Sequence, residues 1–169
     1  IKGYEGYYEV SNLGNVKSLD RKITQYNGDI KQIRLFKSKL CRQNPNKAGY
    51  LRVGLCKDGI HNKKYVHRLV AKAFIENENN LKQVNHIDCN KQNNSVNNLE
   101  WVTPKQNIIH HYKKEKNKSA KLSIDQVKEI RKRKSNNEHK SDVYNDYSNY
   151  VARSTFEQLW YGMTWKFIE

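Results

Sequence analysis

"QVNHIDCNKQNNSVNNLEW", residues Gln83–Trp101, places six asparagines around a single histidine, His86. Asparagine side chains bond to nearby backbone groups in turns, so we expect a long polar loop between two short strands. In the continuation "VTPKQNIIHHYKK", Thr103 is a good N-cap and Pro104 suits the first helical position. The stretch and its continuation therefore predict a strand, a loop, a strand and a helix.

The residues before this stretch are typical of short strands. From Ile1 to about Ile75, aromatic or β-branched residues alternate with polar ones, and turn signals occur at "NLGN", "YNGD" and "KDGI". The segment "VHRLVAKAF" then has the apolar spacing of a helix. We expect β-hairpins followed by one helix ahead of the asparagine-rich stretch.

The residues after it are basic and helical in pattern. Residues 113–134 hold ten Lys or Arg against three acidic residues, which indicates a basic linker followed by a helix, "LSIDQVKEIRKRK", with Ser123 and Gln126 at capping-box spacing. Two short helices separated at about "SNYV", the second stopped by Gly162, would then suit a helix-turn-helix.

The bulk composition favours a nucleic-acid partner. The formal net charge is +15 over 169 residues, which creates a field that attracts polyanions. The most apolar run, "LVAKAFI", is too short for a membrane span. Three cysteines without a CxxC pair argue against a disulfide framework and against structural zinc, and they fit a reducing cytoplasm.

Several side chains around His86 could form a metal-dependent centre. Asn85 and His86 are consecutive on a predicted strand, so they point to opposite faces. On the following helix, His110 or His111 lies on the same face as Asn107. If these groups converge, amide oxygens suit a hard cation such as Mg²⁺ or Mn²⁺, and an imidazole nearby could deprotonate a water for attack on a phosphodiester.

The segment from Val66 to Tyr112 resembles the HNH (His-Me finger) nucleases, in particular the phage and intron-encoded homing endonucleases. The opening "IKGYEGYYEVSNLGNVKSLDR" resembles the module that commonly precedes this nuclease, and "VARSTFEQLWYGMTWKFI" resembles the family's recognition helix and trailing aromatic strand. The resemblance implies an α+β fold in a modular, elongated chain. We expect a β-rich DNA-contacting module at residues 1–60, a nuclease domain at 61–115 with its ββα-metal finger at 83–115, and a basic linker with a helix-turn-helix-like module at 116–169.

The resemblance also assigns roles. It makes His86 the general base, Asn98 the residue that fixes the loop, and Asn107 a metal ligand on the helix, with His110 or His111 beside it. Asn85 takes a ligand position where related enzymes often carry Asp, and a neutral amide binds a dication more weakly. Cys89 replaces a usual Gly, and a turn with positive φ would strain it.

Other residues receive simpler interpretations. Asn90, Asn93, Asn94 and Asn97 are expected to form the loop, and His67 is expected to be a partly buried, hydrogen-bonded histidine. The candidate DNA contacts are basic or polar side chains spread along the chain: Arg68, Lys91, Lys105, Lys113, Lys114, Arg131, Arg133, Arg153, Ser154 and Gln158.

These observations predict a site-specific DNA endonuclease that uses one divalent ion, Mg²⁺ or Mn²⁺. We expect the protein to bind double-stranded DNA as a monomer. We expect neither a membrane nor a small-molecule substrate as a partner. The resemblance implies the cytoplasm of a bacterial host or phage-infected cell. Two alternatives stay open: a DNA-binding regulator whose nuclease finger has decayed at Asn85, and a non-specific HNH nuclease.

Overall fold

The computed structural model describes residues 1–114 and 121–168, without the side chain of Lys114. The chain divides into two compact units, Ile1–Thr103 and Pro104–Glu169. The predicted division at residues 60 and 115 stays a prediction. The predicted basic linker falls partly on residues 115–120, and these lie outside the described residues together with the side chain of the candidate DNA contact Lys114.

The first unit consists of short antiparallel strands, one helix and a two-stranded finger. The first eight strands are β1, Tyr8–Val10; β2, Val16–Ser18; β3, Arg21–Asn27; β4, Ile30–Phe36; β5, Lys39–Leu40; β6, Gln43–Pro45; β7, Leu51–Lys57; and β8, Ile60–Tyr65. Strands β1, β2 and β5 form one sheet, β3 and β4 form a ribbon, and β6, β7 and β8 form a second sheet.

Each predicted turn signal joins two of these strands. The β3–β4 turn contains Gly28 at φ +59°, and the β7–β8 turn contains Asp58 and Gly59, both at positive φ. Such left-handed positions are adopted most readily by Gly, Asn and Asp, which explains why these residues end the strands. The predicted hairpins are confirmed.

Helix α1, Val66–Phe74, carries the apolar face that closes the core of the first unit. Its residues Val66, Val70 and Ala71 are completely buried and pack with Val53 and Leu55 of β7. Burial of this kind contributes about 1.5–3 kcal/mol for each large aliphatic side chain. The helix has the bounds that the apolar spacing predicts.

The finger lies next to α1 and consists of β9, Gln83–His86, and β10, Leu99–Val102. The two strands are antiparallel, with Asn85 opposite Glu100 and His86 opposite Leu99. The loop between them returns through a 3₁₀ turn at Val96–Asn98. The predicted strand, loop and strand are therefore confirmed.

The loop of the finger touches a turn near the N-terminus. The Val96 N–H donates to the carbonyl of Asn12 over 2.7 Å. Gly14, at φ +85°, lies so close to the loop that a Cβ atom built there would stand 2.8 Å from the Cβ of Asn94. The turn at residues 11–15 and the finger loop thus pack without space for a side chain at residue 14.

The second unit is helical in its described part. Helix α2 spans Pro104–Lys114, α3 spans Ile124–Ser135, α4 spans Lys140–Tyr147 and α5 spans Arg153–Trp160. Helix α2 begins at Pro104 as predicted, and α3 carries the predicted capping box, in which Ser123 and Gln126 exchange hydrogen bonds. The core of this unit includes Val127 and Ile130 of α3 and Phe156 and Leu159 of α5.

The expected aromatic strand after α5 is wrong. Residues 161–168 form turns, with Gly162 at φ +71° and Trp165 at φ +57°. Two left-handed residues so close together interrupt an extended run. The mixed α+β class with antiparallel strands is confirmed. None of the helices within the described residues is long and apolar enough to cross a membrane.

Candidate active site

His86 is the last residue of β9 and is only 4% exposed. Its Nε2 lies 3.1 Å from Oδ1 of Asn94, which is also 4% exposed. The Nδ2 of Asn94 donates to the carbonyl of Gln92, so the amide turns its oxygen toward the imidazole. An amide oxygen can only accept, so this network assigns the proton to Nε2 and leaves the lone pair on Nδ1.

An aromatic cluster surrounds the His86 ring. The ring centroids of His67 and Tyr50 lie 5.1 Å and 5.9 Å from that of His86, and the Nζ of Lys91 lies 5.0 Å from the Tyr50 centroid. These contacts limit rotation of the imidazole, because buried rings sit in close-packed surroundings.

His67 differs from its expected environment. It is 6% exposed and therefore buried rather than partly buried. Its Nδ1 has no hydrogen-bond partner among the described residues, so the expectation of a hydrogen-bonded histidine is wrong for Nδ1. Burial, followed by the nearby His86 and Arg68, lowers the pKa of His67 to about 4. At neutral pH, His67 therefore carries no charge and only packs against the site.

The protonation of His86 is also set by burial. Burial lowers the pKa of His86 below its ordinary value, and the positive charge of Lys91 acts in the same direction. The hydrogen bond to Asn94 and the negative charge of Asp88 oppose this shift but do not cancel it. At neutral pH the imidazole is therefore neutral and can accept a second proton at Nδ1.

The loop is closed by Asn98 and Asp88. The Asn98 amide accepts from the Asp88 N–H over 3.0 Å and donates to the Asp88 carboxylate and to the Asn93 carbonyl, each over 2.8 Å. Burial alone would raise the pKa of Asp88, but hydrogen bonds from Asn93 and Asn98 outweigh it and lower that pKa. Asn98 thus connects both ends of the loop, whereas its contribution to catalysis stays a prediction.

Cys89 has φ +63°, a left-handed conformation that favours glycine. Its N–H donates to the carbonyl of His86 over 3.0 Å, so the chain reverses immediately after the histidine. The conformation costs about 1–2 kcal/mol in a residue with a Cβ atom.

Glu100 is a residue of the site that the sequence interpretation missed. The Nδ2 of Asn85 donates to the Glu100 carboxylate over 2.7 Å across the two strands of the finger. The strand pattern could have indicated it, since residues opposite each other in an antiparallel pair share a face. Asn94 was missed for another reason: in an irregular loop, sequence spacing does not show which of several amides meets the ring.

The remaining ligand candidates lie in the other unit. Asn107, His110 and His111 are on α2, and each has an interaction partner in the structure. Their convergence with Asn85 stays a prediction. Among the described residues, no group of three or more His, Cys, Asp or Glu side chains could hold a metal ion. Amide oxygens, as on Asn85 and Asn107, nevertheless suit a hard cation completed by phosphate.

The candidate DNA contacts differ in how far their side chains are engaged within the protein. Arg131 donates to the carbonyl of Trp165, and Arg133 forms 2.7 Å ion pairs with Glu138 and Asp146. Arg68 donates to the carbonyl of Lys82. The others with described side chains are exposed: Lys91, Lys105, Lys113, Arg153, Ser154 and Gln158. Among them, Arg153 forms an ion pair with Glu157 over 3.5 Å. DNA contact by any of these residues stays a prediction.

Comparison with protein families identifies two segments. Residues 1–56 match the NUMOD4 motif, and residues 64–108 match the HNH endonuclease model. The second segment contains the finger and the start of α2. Nucleases of the HNH type generally use a divalent metal ion.

Individual relatives are similar over parts of their length. The chain is 57% identical over 65 residues to the uncharacterized HNH endonuclease L245 of Acanthamoeba polyphaga mimivirus, which is 38% of this chain and 20% of that protein. It is 41% identical over 108 residues to the DNA endonuclease I-HmuI of Bacillus phage SP01, or 64% of this chain and 53% of the relative. The chain thus spans about half or less of these curated relatives.

A solved structure supports the fold. The structure described as DNA binding and cleavage by the HNH homing endonuclease I-HmuI matches with a TM-score of 0.53 at 36% identity. The match covers 80% of this chain and 66% of that one.

Proposed function

We propose that this chain, in which an HNH endonuclease segment follows a NUMOD4 motif, is a site-specific DNA endonuclease with His86 as its general base. The observation that carries the proposal is the buried, neutral His86 whose Nε2–H is held by Asn94. Similarity to a phage DNA endonuclease over 64% of the chain supports the substrate class.

His86 would act through Nδ1. A water molecule in line with the scissile phosphodiester loses its proton to Nδ1, and the resulting hydroxide attacks phosphorus as the bond to the leaving oxygen breaks. Asn94 keeps the opposite nitrogen protonated, so the lone pair points in one fixed direction. The Asn98–Asp88 bonds hold the loop in place around the base.

The residues that would hold a divalent ion are Asn85 and Asn107, with His110 or His111 as a further ligand. When bound there, Mg²⁺ or Mn²⁺ would stabilise the negative charge that develops on the leaving oxygen. Asn85 offers its amide oxygen, because its nitrogen is engaged by Glu100. Because these ligands are neutral, the phosphate of the substrate would bring negative charge to the ion.

The proposed partner is double-stranded DNA, bound by a monomer. The net charge of +15 provides the non-specific attraction. We assign site recognition to Arg153, Ser154 and Gln158, because they lie on α5, the helix whose sequence resembles the family's recognition helix.

The decisive experiment compares His86→Ala with His61→Ala. His61 lies exposed on β8, so its variant is a matched control. With supercoiled plasmid and Mn²⁺, we expect His86→Ala to lose at least about a hundredfold in nicking rate, because it lacks the base. DNA affinity by fluorescence anisotropy should stay within about threefold. Parallel loss of affinity and nicking in His86→Ala would contradict the assignment.

One observation favours a second function, that of a DNA-binding regulator without cleavage. Asn85 is a neutral amide, which binds a dication more weakly than a carboxylate does. Incubation of the wild-type chain with plasmid and Mn²⁺, against EDTA, separates the two functions: a regulator binds without nicking. Mapped cut positions then separate a site-specific enzyme from a non-specific one.

A further inference from the structure

The Asn85 amide has a fixed orientation. It is 7% exposed, and its Nδ2 donates to Oε1 of Glu100 over 2.7 Å. Hydrogen bonds to an ionised acceptor are shorter and stronger than those between neutral groups. Because the two ends of an amide point in different directions, the bond turns Oδ1 away from Glu100.

The amide alone lacks the charge that a dication prefers. A carboxylate brings a full negative charge to a hard cation, whereas an amide oxygen brings only a dipole. The Asp88 carboxylate, near His86, is engaged by Asn93, by Asn98 and by the N–H of Asn90. Glu100 is the carboxylate bonded directly to the proposed ligand.

We propose that Glu100 is the positioning residue of the cation site and that Asn85 and Glu100 together replace a single carboxylate. Asn85 provides the ligand oxygen, and Glu100 provides its orientation and the nearby negative charge. This inference rests on the proposed function, because it concerns the same site.

The pair predicts an unusual response to substitution. Asn85→Asp alone would place two carboxylates at hydrogen-bonding distance, where they repel each other. In N85D/E100Q the amide that the second substitution introduces can donate to the new carboxylate, so the hydrogen bond is restored in the reverse direction. The two substitutions should therefore be strongly non-additive.

The test uses the full chain and the variants E100Q, N85A, N85D and N85D/E100Q. Glu9→Gln serves as the matched control, because Glu9 is an exposed glutamate on β1 in the same unit and loses the same charge. Two quantities are measured: the Mn²⁺ concentration at half-maximal plasmid nicking, and the midpoint of thermal unfolding in EDTA.

We expect E100Q to raise the half-maximal Mn²⁺ concentration about tenfold, the effect of removing one charge a few ångströms from a dication in a watery site. Its unfolding midpoint in EDTA should fall by no more than about 4 °C, since the Gln oxygen can still accept. N85D should unfold at a lower temperature than N85D/E100Q, and the double variant should need no more Mn²⁺ than the wild type. Glu9→Gln should change neither quantity.

Each contrary result has its own meaning. If N85A raises the Mn²⁺ requirement but E100Q leaves it within about twofold, the positioning role is wrong while the proposed function stands. An N85D/E100Q variant less stable in EDTA than N85D would likewise overturn the pair. If N85A has no effect on the Mn²⁺ requirement, Asn85 is not a ligand and the inference falls with it. A wild-type chain that does not nick overturns the proposed function itself.

Discussion

Asn94 controls which nitrogen of His86 can accept a proton. Its oxygen bonds to Nε2 over 3.1 Å, and its own nitrogen is held by the Gln92 carbonyl. The structure thus gives a specific task to one of the amides that the sequence assigns only to a loop. A substitution of Asn94 should therefore change the pKa of His86.

Asn94→Asp tests this control. A carboxylate beside Nε2–H stabilises the imidazolium and raises the pKa of His86, so the unprotonated base is present only at higher pH. We expect the acidic limb of the pH–rate profile for plasmid nicking to move to higher pH. Asn97 in the same loop is more exposed than Asn94 and supplies the control, Asn97→Asp. An equal displacement in both variants would mean that only the added charge matters.

His67 should make stability depend on pH. Its pKa is about 4 in the folded protein against 6.5 ordinarily, so the unfolded chain binds more protons between these values. The contribution to the free energy of unfolding is therefore complete above about pH 6.5 and is lost as the pH falls toward 4. The loss is roughly 3 kcal/mol.

The measurement compares urea unfolding of the wild type and His67→Phe between about pH 7 and about pH 4.5, the window in which the unfolded histidine gains its proton. The variant keeps a ring but cannot take up a proton, so its free energy of unfolding should fall less steeply as the pH decreases. Other groups titrate in both proteins and cancel in the difference. Parallel curves would contradict the buried, unprotonated state of His67.

At the scale of elements, the sequence predicts most where local chemistry is sufficient. Pro104 fixes the start of α2, the Ser123 capping box fixes that of α3, and Gly28 marks the tip of the β3–β4 ribbon. Contacts made by irregular segments are not predictable in this way. Nothing in the spacing of the chain shows that the turn at Gly14 meets Asn94, because a loop has no period that fixes its faces.

Gly14→Ala tests the close contact between Gly14 and Asn94, with Gly6→Ala as control. Both glycines have positive φ, +85° and +75°, but only at Gly14 would the added Cβ clash, at 2.8 Å from the Cβ of Asn94. Both variants carry the backbone strain, whereas the clash should cost Gly14→Ala a further ~1–3 kcal/mol of unfolding free energy. Gly14→Ala should also slow nicking, because Asn94 holds His86. Equal stabilities in thermal unfolding would contradict the close approach.

At the scale of the whole molecule, charge is the dominant feature. Composition alone predicts the attraction to polyanions, since a net charge of +15 needs no fold to act. Whether Asn107 meets Asn85 depends instead on how helices pack, which residue spacing does not determine. The Asn85–Glu100 pair lies between these cases, because strand alternation predicts the shared face but not the register.

The charge predicts a steep salt dependence of DNA binding. Between about 50 and about 200 mM NaCl, affinity for non-specific duplex DNA should fall at least about a hundredfold, equivalent to counterion release from about four phosphates. Fluorescence anisotropy measures this slope. Replacing the exposed Lys105 and Lys113 by Gln should lower the number of neutralised phosphates, calculated from this slope, by up to about two. A slope near zero would exclude the proposed electrostatic binding.

The contact between the turn at residues 11–15 and the finger loop limits how freely recombination can exchange the two segments of the gene. The two segments match separate families, residues 1–56 and 64–108, which suggests parts that recombination could exchange freely. Yet Gly14 lies against Asn94, and Asn12 accepts from Val96, so the fit crosses the boundary between them. A chimaeric gene whose incoming segment lacked glycine at this turn would yield a less stable finger and slower cleavage. In this chain the two parts are therefore expected to descend together.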